Sequence, residues 1–135
     1  MARRSALLLV AWTPPILFMA TIFLVSSRPA PEILRRFYFD FQDKLLHATA
    51  YLALAVAFFR AFLLHGWRFS VKMAIAAAVC AAVYGAVDEW HQSYVPSRTS
   101  DIGDWLADAA GAALLFPLRG LLARLFEREI SRWES

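Results

Sequence analysis

Residues 71–118 read VKMAIAAAVCAAVYGAVDEWHQSYVPSRTSDIGDWLADAAGAALLFPL. Two apolar runs, 71–87 and 105–118, bracket Tyr84, Asp88, Glu89, His91, Gln92, Arg98, Asp101, Asp104 and Asp108, which fall within 25 residues. Such flanks are too apolar for the boundary of an ordinary soluble loop. Ionisable groups pressed against membrane-length segments are expensive to keep, so they mark a functional site with partners to be found.

The rest of the chain has the same character. Of its 135 residues 60% are apolar and 19% charged, well outside the soluble norm. A bilayer core of roughly 30 Å takes about 20 helical residues, so four spans consume most of the length. The expected fold is a single all-α domain over residues 1–135, an integral membrane bundle of about four transmembrane helices plus a C-terminal amphipathic helix. A net charge of +3 does not point to nucleic acid, because the basic residues are scattered over short loops. Cys80 is the only cysteine, so no intrachain disulfide forms; it reads as a small packing residue.

The first apolar run, 6–25, follows Arg3 and Arg4 and contains Pro14 and Pro15. It is longer than a signal-peptide core of about 7 to 15 residues, and no small-x-small site precedes Arg28. It reads as an uncleaved span whose proline-freed carbonyls are covered by neighbouring helices. Residues 26–42 read as a loop with an aromatic belt at Phe37, Tyr38, Phe39 and Phe41. The second span is expected at 44–64, with Arg60 free to snorkel, and the third at 71–90. The fourth begins near Asp104 and meets Pro117, after which Leu118, Leu121, Leu122, Leu125 and Phe126 recur at helical spacing beside Arg119, Arg124 and Arg128. Trp67, Trp90, Trp105 and Trp133 read as interface anchors, His65 as a solvated loop residue, and Gly85 and Gly111 as points of close helix approach.

With the N-terminus inside, Arg3, Arg4, Arg60, Arg68, Lys72, Arg119, Arg124, Arg128 and Arg132 are cytoplasmic. Arg28, Arg35, Arg36, Lys44 and Arg98 are external. That excess inside predicts a membrane protein with both termini in the cytoplasm and the acidic segment outside.

Residues three, four or seven apart share a helix face. Asp43, His47 and Tyr51 align on the second span; Tyr84, Asp88 and His91 on the third; Asp101, Asp104, Asp108 and Gly111 on the fourth. A charge facing lipid costs on the order of 2.5 to 3.5 kcal/mol at mid-membrane, so the three stripes are expected to face one another.

The run Asp43-Lys44-Leu45-Leu46-His47 with Tyr51, then Tyr84-Gly85-Ala86-Val87-Asp88-Glu89-Trp90-His91-Gln92, then Val95-Pro96, Arg98, Asp101, Asp104, Asp108 and Gly111, resembles the VanZ-like family of small bacterial membrane proteins. The resemblance covers residues 43–111 and implies a multi-span helical protein of the cell envelope. The family's founding member is tied to resistance against the glycopeptide teicoplanin. No catalytic assignment comes with the resemblance.

Three readings of the polar cluster stand side by side. As a structural lock, Lys44 or Arg98 neutralises carboxylates while Tyr51, Tyr84 and Gln92 satisfy remaining donors and acceptors. As a binding site, Arg98 and Lys44 hold a phosphate or carboxylate, and Asp43, Asp101, Asp104 and Asp108 grip the ammonium, amide or hydroxyl groups of a lipid-linked cell-wall precursor or glycopeptide. As an enzyme, His47 or His91 is a general base oriented by Asp43 or Asp88, or Glu89 takes that role. A metal variant would use His47, His91, Asp88 and Asp104 or Asp108. Neither the two-histidine zinc-protease helix motif nor a cysteine cluster is present, so no metal and no cofactor is expected. Asp88-Glu89-Trp90-His91 spells a helicase DExH box, but no phosphate-binding glycine loop accompanies it. A transport pathway is disfavoured because nothing comparable marks the middle or inner half of any span.

Overall fold

The computed structural model describes residues 2–29, 40–96, 98 and 100–134. They form five helices: α1 Ala2–Ser26, α2 Asp40–Leu64, α3 Val71–Gln92, α4 Ile102–Ala113 and α5 Leu115–Glu134. Three are long and apolar enough to cross a membrane, and a fourth span results if α4 and α5, bent by 42°, count as one. At 1.5 Å per residue, the 12 residues of α4 reach only about 18 Å, so it needs α5 to cross a bilayer. Pro117 sits in the first turn of α5, where its missing N–H breaks the helical ladder and accounts for the bend. The lipid-facing surface is apolar: Ile75, Val79, Val83 and Val87 recur every four residues along the outer side of α3, each about half exposed.

The interior is built mainly from α2, which packs on α1, α3, α4 and α5. Leu54, Phe58, Phe59 and Phe62 from α2 meet Met73, Ala74, Ala77 and Ala81 of α3. Alanines on α3 let α2 come close, the mode of packing expected where lipid removes the hydrophobic drive between helices. Gly111 of α4 is closer still. A Cβ there would lie 2.0 Å from the Ala48 carbonyl oxygen, so the two backbones touch.

Helix starts follow local chemistry. The hydroxyl of Ser70 accepts from the Met73 N–H to cap α3, and Asp101 accepts from the Gly103 N–H to cap α4. The second helix begins at Asp40, inside the segment expected to be loop; Asp43 lies near that start, where the helix dipole favours negative charge. Of the expected aromatic belt, Phe41 is described and exposed, while Phe37, Tyr38 and Phe39 lie outside the described residues.

Two features differ from expectation at the end of the bundle remote from the polar cluster. Arg60 does not snorkel freely. Its Nε donates to Glu129 Oε2 at 3.0 Å, its Nη2 pairs with Glu129 Oε1, and its Nη1 donates to the Val10 carbonyl at 3.2 Å. That carbonyl is the one Pro14 leaves without a helical donor four residues on, so the guanidinium covers the gap. His65 is likewise engaged, accepting from Trp12 Nε1 at 3.1 Å. The amphipathic pattern of α5 is present, and the bundle covers one side of it: Leu115 and Ala123 are buried and Phe126 packs on the core, while Leu121 and Leu125 stay exposed.

Candidate functional site

The C-terminal ends of α1 and α3 and the N-terminal ends of α2 and α4 lie at one end of the bundle, and the polar residues gather there. Asp88, Glu89, Asp104 and Asp108 are all buried. They divide into two networks.

The first joins α2 to α4. Lys44 Nζ donates to Asp101 Oδ2 at 2.7 Å and also pairs with Asp104. One turn deeper, His47 Nδ1 lies 2.8 Å from Asp108 Oδ1. Donor atoms of Asp43, His47 and Asp104 fall within 4.8 Å of one another. The stripes expected on the second and fourth spans therefore meet face to face. The Lys44 ammonium and the Gly103 N–H hold the Asp101 carboxyl below the usual carboxylate range.

The second network joins α1 to α3. Ser26 Oγ donates to Asp88 Oδ1 at 2.6 Å, and Gln92 Nε2 donates to Asp88 Oδ2 at 3.0 Å. His91 Nε2 lies 2.9 Å from Ser27 Oγ, with its ring against Phe23 at a centroid distance of 4.5 Å. Tyr84 donates to the Met19 carbonyl at 2.6 Å. Arg98 donates to the carbonyls of Arg28 and Val25, satisfying the end of α1.

The expected third stripe is thus turned toward α1. The paired Asp88 and His91 of the sequence reading do not bond each other; Asp88 is held by Ser26, the last residue of α1, and His91 by Ser27 directly after it. The face of α3 that meets α2 and α4 carries Gly85 and Glu89 instead. Glu89 Oε2 accepts from the Asp101 N–H at 2.9 Å, and its Oε1 takes a longer bond of 3.3 Å from Gln92. Glu89, His47 and Asp108 bring donor atoms within 4.8 Å of one another. Lys44 and Arg98, expected to hold an anion, are engaged with carboxylates and backbone carbonyls. Ser26 and Ser27 read from sequence as the first residues of a loop, and their position directly after an apolar run is the available signal of these contacts.

Tyr51, 1% exposed, points its ring toward Gly85 and Asp108. Its hydroxyl and Asp108 Oδ2 have no hydrogen-bond partner among the described residues. Beside this core, an open groove runs along the outer side of α3 and α4. Its apolar part, about 340 Å³, is lined by Val79, Ala82, Val83, Ala86, Val87, Trp90 and Trp105. Its polar part, about 440 Å³, adds Glu89, Ser93, Ser100, Asp101 and Ile102. Trp105 divides its duties: its ring walls the groove while Nε1 donates to the Ala82 carbonyl at 3.1 Å.

No curated protein and no solved structure matches the chain. The family description VanZ/LLP1 matches residues 6–127. That range takes in most of α1 with Ser26 and Ser27 at its end, every residue of both networks and most of α5, well beyond the motif stretch legible in the sequence. The helices are long and apolar enough for a multi-pass membrane protein, and the chain belongs to the VanZ/LLP1 family.

Proposed function

We propose that the groove along α3 and α4 seats a lipid-linked component of the bacterial cell envelope, and that its occupancy alters susceptibility to glycopeptides. The observation that carries this reading is the change in lining between two adjoining hollows that share Ala86, Trp90 and Trp105. Valine and alanine line one at membrane depth, and Glu89, Ser93, Ser100 and Asp101 line the other at the helix ends. An amphiphile with an apolar chain and a hydroxyl-, amide- or ammonium-bearing head complements both parts. Family membership supports an envelope role. The excess of basic residues in the segments assigned to the cytoplasm supports an inner-membrane location with the cluster facing outward.

Native mass spectrometry of the purified protein tests the reading. Wild type is expected to retain a lipid of discrete mass, and Ala86→Trp, which fills the groove from an exposed position, to lose it with its melting temperature unchanged. Equal retention by both proteins sinks the proposal. For orientation, Ser100→Cys in a Cys80→Ala background is expected to react with an impermeant thiol reagent outside the cell and Arg68→Cys only after lysis. The reverse pattern places the cluster inside.

A second reading rests on the 2.8 Å contact between His47 and Asp108. A carboxylate that orients an imidazole is the arrangement of a general base, here for a membrane-embedded hydrolase or transferase acting on the same amphiphile. On this reading His47→Gln abolishes turnover without reducing lipid retention; if lipid and melting temperature fall together, the pair is structural.

A further inference from the structure

His47, Glu89 and Asp108 come from three different helices, yet a donor atom of each lies within 4.8 Å of the other two. Acidic groups cluster on many surfaces without a ligand, but here Glu89 and Asp108 are buried, His47 is half-buried, and the surroundings are unfinished. Asp108 is 0% exposed, its Oδ1 is held by His47, and its Oδ2 has no partner. The Tyr51 hydroxyl, on a side chain 1% exposed, is also unpartnered. The two side chains converge on one spot: a Cβ at Gly85 would meet Asp108 Oδ2 at 2.8 Å and Tyr51 Cε1 at 3.2 Å. Gly85 lies one helical turn from Glu89, so the orphaned oxygens border the trio.

The charge balance points the same way. Four carboxylates are buried at this end of the bundle, and among the described residues the cations within ion-pair distance of any of them are Lys44, on Asp104, and His47 when protonated. Asp88 is held by neutral donors alone. Buried negative charge without compensation is strongly unfavourable, and a bound cation is often the largest local charge in such a site.

We propose that His47, Glu89 and Asp108 bind one divalent transition-metal ion, with the Tyr51 hydroxyl donating to a ligand on that ion. One imidazole with two carboxylates suits Zn²⁺ or Mn²⁺ and leaves coordination positions open. Ligand atoms each about 2.0 to 2.2 Å from a metal stand at most about 4.4 Å apart, so small side-chain rotations close the site. Glu89 also lines the polar end of the groove, so an open position on the ion faces that end. A phosphate oxygen of a lipid head would find its positive charge there, since Lys44 and Arg98 are engaged elsewhere. That last step rests on the groove reading; the ion site does not.

The full-length protein, purified in detergent and stripped with EDTA, is titrated with Zn²⁺ or Mn²⁺ by calorimetry, and bound metal is counted by elemental analysis. One ion per chain is expected, with a rise in melting temperature. His47→Ala and Glu89→Gln are expected to weaken binding at least tenfold, and Glu129→Gln, at the opposite end of the bundle, by less than threefold. Pulsed paramagnetic resonance of Mn²⁺-loaded wild type is expected to show coupling to an imidazole nitrogen, which keeps the test decisive should a variant fail to fold. The inference is overturned by wild type that takes up no stoichiometric ion, by affinity unchanged in both variants, by missing nitrogen coupling, or by Mg²⁺ or Ca²⁺ bound as tightly. Metal binding without a retained lipid would sink the groove reading and leave the ion site standing.

Discussion

Gly111 lies against Ala48 so closely that any side chain at 111 would enter the partner backbone, at 2.0 Å from its carbonyl oxygen. Overpacking costs roughly 1 to 3 kcal/mol where side chains can yield, and here the obstacle is main chain. Gly111→Ala is therefore expected to cost at least about 3 kcal/mol and to lower the melting temperature in detergent sharply. Gly120→Ala, where a Cβ meets nothing within 4 Å, is expected to leave it unchanged or raise it.

His47→Ala removes the partner of Asp108 Oδ1 in a side chain whose Oδ2 is already without one. Leaving a buried polar group unsatisfied costs about 1 to 3 kcal/mol, and more when it is charged. The expected loss exceeds that of Asp43→Ala, which removes a less buried carboxylate from the margin of the cluster. Thermal unfolding of the two variants at one pH makes the comparison.

Asp101 carries a pH signature. Its carboxyl is held down by Lys44 and the Gly103 N–H, so the folded form favours the charged state more than the unfolded chain does. The resulting stability is fully present above the ordinary aspartate range and disappears as pH falls through the lowered folded value. Melting curves of wild type and Asp101→Asn are expected to differ by a constant amount near neutrality and to converge in acid. A difference that instead grows with acidification contradicts the pairing.

Glu129→Gln loosens the tie between α5 and Arg60. Faster hydrogen exchange is expected in the last turns of α5 and around Val10, with little change at Lys44 or Asp104. A double-mutant cycle on Arg60 and Glu129 is expected to return a coupling of about 1 kcal/mol, the upper range for pairs that keep some water contact.

Span positions and the polar end were legible in the sequence because hydropathy and three-to-four spacing are properties of single helices. Which helix each face meets is a property of pairs, and there the reading diverged. On α3, Tyr84, Asp88 and His91 form one polar stripe, while Gly85, Glu89 and Gln92, one residue further on, form another. Nothing local says which turns to α1 and which to α2 and α4. Spacing suggested Asp88 for His91, but serines 62 and 64 residues away hold them. Arg60 was misread for the same reason, since its partner Glu129 stands 69 residues later. The close approach at Gly111 was readable because a residue without a side chain on a helix face has few other uses.

The Arg60 contacts bear on assembly. One guanidinium fastens the carbonyl of residue 10 and the carboxylate of residue 129, so it joins two segments far apart in the order of synthesis. Until Glu129 has been made, the guanidinium that covers the proline gap lacks its carboxylate anchor. A chain without Glu129 leaves Arg60 a positive charge with no anion in an apolar bundle, held over the gap by its bond to the Val10 carbonyl.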